Sequence, residues 1–156
     1  GAFIKPGNDP ARWGNRSNYT ALNVVPTGEA EMSIYLSSNS MQHQGLRLTL
    51  RTDGFAAVHA GWEGGEMLTH PLIFTGSQME INYATSAAGS LQVEILTIDG
   101  MAIPGFALAD SEVIIGDHIS RVVRWNDNSN VAALAGKPVR LRFVLREADL
   151  FSFRFS

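Results

Sequence analysis

The chain has 156 residues, 45% hydrophobic and 17% charged, which is enough for one well-buried core, too short for two ordinary domains, and not the composition of a disordered chain. Its formal net charge is −3, ten of its 12 basic residues are arginine and only Lys5 and Lys137 are lysine; with no basic stripe to follow a phosphate backbone, nucleic acid is excluded as an expected partner. The absence of cysteine excludes disulfides, thiolate metal sites and thiol nucleophiles, and no apolar run approaches the roughly 18 residues that cross a bilayer, so no membrane partner is expected.

In chain order, residues 19–25 and 32–36 read as a strand pair across Pro26, Thr27 and Gly28, which is turn chemistry. Residues 37–45 are polar and read as a loop. Leu46, Leu48 and Leu50 alternate with Arg47, Thr49 and Arg51, and Asp53-Gly54 turns the chain into residues 55–59. Residues 60–66 then form the most glycine-rich loop, Ala60-Gly61-Trp62-Glu63-Gly64-Gly65-Glu66. Strands are predicted at 72–74, 79–83 and 91–95, with a turn at Asp99-Gly100. A loose stretch follows to residue 117, with a short apolar run at 113–115, then a strand at 120–125. Residues 131–135 can make one or two helical turns before Gly136 and Pro138 stop them.

Residues 134–155 carry the strongest pattern. Val139, Leu141, Phe143 and Leu145 alternate with Arg140, Arg142 and Arg146, and after Glu147-Ala148-Asp149 the residues Phe151, Phe153 and Phe155 resume the apolar face. This predicts two strands joined by a three-residue acidic turn. About ten short strands, turns every 8–12 residues and almost no helix predict an all-β antiparallel β-sandwich, jelly-roll-like.

Residues 51–55 (RTDGF), 64–69 (GGEMLT), 85–90 (TSAAGS) and the closing LAGKPVRLRF resemble the C-terminal β-sandwich domain of glycoside-hydrolase-like proteins related to the invertase, levanase and inulinase group. Residues 13–19 (WGNRSNY), with 25–28 (VPTG) and 31–33 (EMS), look like the last strands of the five-bladed propeller that precedes this domain in that group. The resemblance implies residues 1–40 as propeller-end strands and 41–156 as the sandwich proper, within one domain. It also implies an accessory role, because the group's catalytic carboxylates lie in the propeller.

Read as residues, Glu63 and Glu66 are the only close acidic pair on a glycine-rich loop. A glycosidase needs two carboxyl groups about 5–10 Å apart across one bond, and nothing else in the sequence supports that use. His59 and His70 flank the same loop and could hold a copper or zinc ion, or His59 could be a strand-end residue and His70 simply precede Pro71. His43 and His118 have no metal-ligand spacing. Asp127 with Asn126, Asn128 and Asn130 could offer oxygens to a structural calcium, without EF-hand spacing; no other cofactor is implied. No nucleophile elbow or phosphate-binding glycine loop occurs.

A sugar presents an apolar C–H face and a rim of hydroxyls, so a site for it needs an exposed ring with polar side chains beside it. Trp62 fits, next to Glu63 and Glu66 with His59 upstream; the alternative is that it folds back to cap the sandwich. Trp125 is a second candidate, with a core reading beside it, and Trp13 would pack against the missing propeller. The outward row Arg140, Arg142, Arg146 and Arg154 could grip an anionic polysaccharide, or reads as a solvated strand face interleaved with Glu and Asp from neighbouring strands.

The expected function is a non-catalytic carbohydrate-binding accessory domain, with polysaccharide or oligosaccharide and a catalytic propeller domain of a parent protein as partners. The rivals are a purely structural sandwich packed on that propeller or in an oligomer, and a small polysaccharide-active enzyme using Glu63 and Glu66 or a His59/His70 metal. Residues 1–10 hold no signal-peptide core, so either the chain is cytosolic or its targeting segment has been removed; since it opens at Gly1 and not Met, a piece of a longer bacterial, secreted protein, extracellular or periplasmic, is expected.

Overall fold

The computed structural model describes residues 3–5, 10, 18–38 and 45–156. Among the described residues it is all-β and sandwich-like, with 54% in strand and no helix of seven residues or more. Trp13, His43 and most of the propeller-like motif at 13–17 lie outside the described residues. The chain divides into two compact units, Gly1–Gly54 and Phe55–Ser156, where the length had suggested one.

In the first unit β3 (Glu31–Ser38) is central. It pairs on one edge with β1 (Asn18–Thr20) and β2 (Val25–Pro26) and on the other with β4 (Gly45–Arg51), all antiparallel. The Leu46/Leu48/Leu50 strand, expected in the sandwich, therefore belongs to this small sheet. Its alternation explains why: Ile34 pairs with Leu48 and Leu36 with Leu46, so the apolar residues of both strands share one face. Asp53, at φ 58°, turns the chain out of the unit, and the Gly54 N–H bonds to the Arg51 carbonyl at 2.9 Å.

The second unit is one folded sheet. β7 (Met79–Leu96) and β9 (Arg140–Phe155) run antiparallel over almost their whole lengths, from Met79 opposite Phe155 to Leu96 opposite Arg140. β8 (Asp117–Val122) lies on the far edge of the first half of β7, and β5 (Val58–Ala60) and β6 (Gly65–Leu68) follow one another along β9. Two predicted strands at 79–83 and 91–95 are thus one, and so are the two predicted at 139–145 and 151–155. The expected hairpin at residues 147–149 does not exist. Period-2 alternation identifies faces but not partners, and both halves of β9 pair with β7 instead of with each other.

At residues 147–149 the sheet has a corner. Thr85 pairs with Ala148 and Ser90 with Arg146, leaving residues 86–89 of β7 opposite Glu147 alone. Glu147 sits at φ 44°, a single-residue bulge. On the other side of β9, Ala60 pairs with Ala148 and Gly65 with Leu145, so residues 61–64 bridge the same point. Extra residues on both flanking strands let all of them bend together. The folded sheet encloses its core, with Met79, Ile81, Tyr83, Ala148 and Leu150 from one half and Leu91, Val93, Ile95, Leu141, Phe143 and Leu145 from the other.

The bulges also reset which residues face inward. Leu141, Phe143 and Leu145 are buried at odd positions, then Ala148 and Leu150 at even ones, and a second irregularity at Phe151 returns Phe153 and Phe155 to the core side. Phe151, expected on the apolar face, is the residue left over at that irregularity. No helix among the described residues is long and apolar enough to cross a membrane.

Candidate functional site

The outer side of the corner collects the polar side chains. Trp62 stands on the four-residue turn 61–64, in which the Gly64 N–H donates to the Gly61 carbonyl at 3.0 Å and Gly64 takes φ 77°, a conformation glycine adopts without strain. The same Gly61 carbonyl accepts the Glu147 N–H at 3.0 Å, fastening the turn to the β9 bulge. Arg146 completes the attachment: its Nε donates to the Trp62 carbonyl at 3.2 Å and its guanidinium lies 4.0 Å from the centre of the Trp62 ring. Trp62 is nevertheless 58% exposed. With the guanidinium over one face, the remaining ring surface is open to solvent.

Two clefts lie along the corner, neither of them lined by Trp62 itself. One, of about 480 Å³, is lined by Glu63, Glu66, Ser90, Val144 and Arg146. The other, of about 320 Å³, is lined by His59, Thr85, Ser86, Glu147 and Asp149. His59 and Asp149 are directly opposed across β5 and β9, and His59 Nδ1 lies 2.8 Å from Asp149 Oδ1. The Ser86 hydroxyl donates to Glu147 Oε2 at 3.0 Å. Hydroxyl, imidazole and carboxylate groups therefore line the clefts of the corner that also exposes an aromatic ring, the residue types that can exchange hydrogen bonds with a neutral polyol.

Glu66 has a further partner. Arg142 Nε and a terminal nitrogen reach Glu66 Oε2 at 2.8 and 2.6 Å, and its other terminal nitrogen reaches Glu94 Oε2 at 3.0 Å. These two bonds, the one to Glu66 first, raise the Arg142 pKa above its already high ordinary value. Glu94 is buried, 8% of its side chain exposed, and its second oxygen accepts the Leu108 N–H at 3.1 Å. Arg142 thus interleaves with carboxylates of the neighbouring strands, as expected of this face, but one of them, Glu94, is buried where a solvated face was expected.

Of the residues expected at a sugar site, Glu63 and Glu66 line one cleft, His59 lines the other, Trp62 stands exposed on the turn at 61–64, and Trp125 lies in the core. Trp125 is completely buried, its Nε1–H donating to the Val93 carbonyl at 2.7 Å and its ring standing edge-on to Phe106 with centroids 5.3 Å apart. It has no face to offer a ligand. Its alternation with the equally buried Val123 was the signal for a core position. The asparagines near it are turn residues: Asn128 Oδ1 accepts the Asn130 N–H and Asn130 Oδ1 the Ala132 N–H, both at 2.9 Å. Among the described residues no group of three or more His, Asp or Glu side chains is placed to hold a metal ion.

Sequence reasoning missed Arg146 as the support of Trp62, and it missed Asp149, Glu147, Ser86 and Ser90 altogether. In the small-residue run Thr-Ser-Ala-Ala-Gly-Ser at 85–90, Gly89 is the local trace of the corner, since a Cβ there would lie 2.4 Å from the Glu147 carbonyl oxygen. Comparison with family models, with characterised proteins and with solved structures gave no match, so the corner is interpreted from its own residues.

Proposed function

We propose that the chain is a non-catalytic carbohydrate-binding accessory module that holds a polysaccharide on the Trp62 corner. The open ring surface stacks on a pyranose or furanose C–H face, and Glu63, Glu66 and His59, with Ser86 and Ser90 alongside, exchange hydrogen bonds with hydroxyls in the two clefts. The observation that carries this reading is that Trp62 is 58% exposed while its turn is fixed to β9 by Gly61, Glu147 and Arg146. An exposed indole held in place costs solvent contact without contributing to the core, and a ready-made platform loses little entropy on binding. A shallow site with one ring and a few hydrogen bonds should bind with Kd of roughly 10 µM to 1 mM. The test is retention of the full chain on insoluble cellulose, xylan and fructan: Trp62→Ala should abolish it, and retention unchanged in that variant would make the corner a structural feature.

A further inference from the structure

The first unit carries a second ring pair that the Trp62 corner does not use. In its sheet the apolar residues Ile34, Leu36 and Leu48 share one face, and the register puts Tyr19, Tyr35 and Arg47 on the other. Tyr19 lies opposite Ser37, which in turn lies opposite Gly45; Tyr35 lies opposite Arg47, and the Ala21 N–H bonds to the Tyr35 carbonyl at 2.7 Å, which places Ala21 beside it. Large and small residues therefore alternate as on a checkerboard. Ala21, Ser37 and Gly45 leave hollows between the three long side chains, and together these residues line a cleft of about 620 Å³.

Tyr19 is 59% and Tyr35 43% exposed, and the Arg47 guanidinium is not loose. Arg47 Nε donates to the Ser33 hydroxyl at 2.9 Å, and a terminal nitrogen is paired with Glu31. The same terminal nitrogen reaches the Thr27 hydroxyl at 3.3 Å, so its charge is compensated and the surface does not select an anion. Diagonal neighbours on adjacent strands lie about 7–8 Å apart, close enough for one extended ligand to touch both rings.

We propose that this face is a second saccharide-binding surface, taking a neutral oligosaccharide across Tyr19 and Tyr35 with hydroxyls directed to Arg47 and Ser37. It rests on the reading of the chain as a sugar-binding module.

The test is a titration of the isotopically labelled full chain with cellohexaose, xylohexaose and a fructan hexamer, followed by amide resonances. Saturable shifts are expected at residues 19–21, 35–37 and 45–47, retained in Trp62→Ala and weakened at least tenfold in Tyr35→Ala. Tyr35→Phe, which keeps the ring and the fold, should retain most of the affinity, and Tyr19→Ser on the short outer strand gives an independent loss should Tyr35→Ala unfold the sheet. Shifts confined to the Trp62 corner, or unaltered by both tyrosine variants, would overturn the second surface and leave the first standing. Absence of shifts anywhere with all three sugars would remove both.

Discussion

Phe143 and Phe153 are ten residues apart on one uninterrupted strand, yet their ring centroids are 5.4 Å apart. Ten residues of straight strand would span about 33 Å. β9 must therefore fold over on itself, and the two rings meet across the core that the fold encloses. The same bend pushes the turn at 61–64 outward and exposes Trp62. Core and candidate site are two sides of one corner.

The corner depends on Gly89. A side chain there would put its first carbon 2.4 Å from the Glu147 carbonyl oxygen and 2.8 Å from that of Arg146, contacts that backbone cannot relieve cheaply. Gly89→Ala should cost about 2–4 kcal/mol in urea denaturation, in the range of overpacked or strained sites. Gly61→Ala, where nothing lies within 4 Å of the added carbon, should stay within about 0.5 kcal/mol. Equal effects at the two glycines would mean that β7 and β9 do not touch as described.

Much of this was legible in the sequence. The strong alternation at 139–145 gave the right face for Leu141, Phe143 and Leu145, and the acidic triplet at 147–149 marked the right place for a change of direction. What alternation could not give was partnership. His59 and Asp149 meet across 90 positions of sequence, and Arg142 finds Glu94 only because β7 and β9 run side by side through the bend. Trp125 was ambiguous for a related reason: a tryptophan at a strand end is core or surface according to what the rest of the chain lays over it.

Arg142 should matter more than an exposed strand arginine. Arg142→Ala leaves the Glu94 carboxylate buried with one backbone N–H as partner, and should cost about 1–3 kcal/mol, below the full penalty of a deeply buried pair because the arginine itself is about a third exposed. Adding Glu94→Gln should recover part of that loss. A double mutant no more stable than Arg142→Ala would show that the pair is not coupled.

Glu80 predicts an acid limb in stability. Hydrogen bonds from Ser120 first, then Arg154 and Ser156, lower its pKa from 4.5 to about 2. Because the folded value lies below the unfolded one, its stabilisation is fully present above about pH 5 and is lost as the pH falls toward 2. With 13% of the side chain exposed, solvent screening leaves on the order of 1–2 kcal/mol. The stability difference between wild type and Glu80→Gln should shrink by that amount between pH 6 and pH 2; a difference independent of pH would contradict the assignment.

Arg146 offers the sharpest test of how the Trp62 corner works, because it separates holding the ring from being the ring. Its guanidinium covers one ring face at 4.0 Å and its Nε bonds to the Trp62 carbonyl, so its removal frees the indole without deleting it. An exposed cation–π contact contributes about 0.5–1 kcal/mol, and the lost order of the turn adds to that on binding. Arg146→Gln should then weaken glycan binding about two- to tenfold while Trp62→Ala abolishes it, with both melting temperatures within a few degrees of wild type, since neither side chain fills the core. Both quantities can be read on the same samples by affinity electrophoresis and thermal denaturation. If Arg146→Gln binds as tightly as wild type, the platform is not preorganised by Arg146; if Trp62→Ala instead melts many degrees lower, the indole braces the corner and the exposed ring is structural.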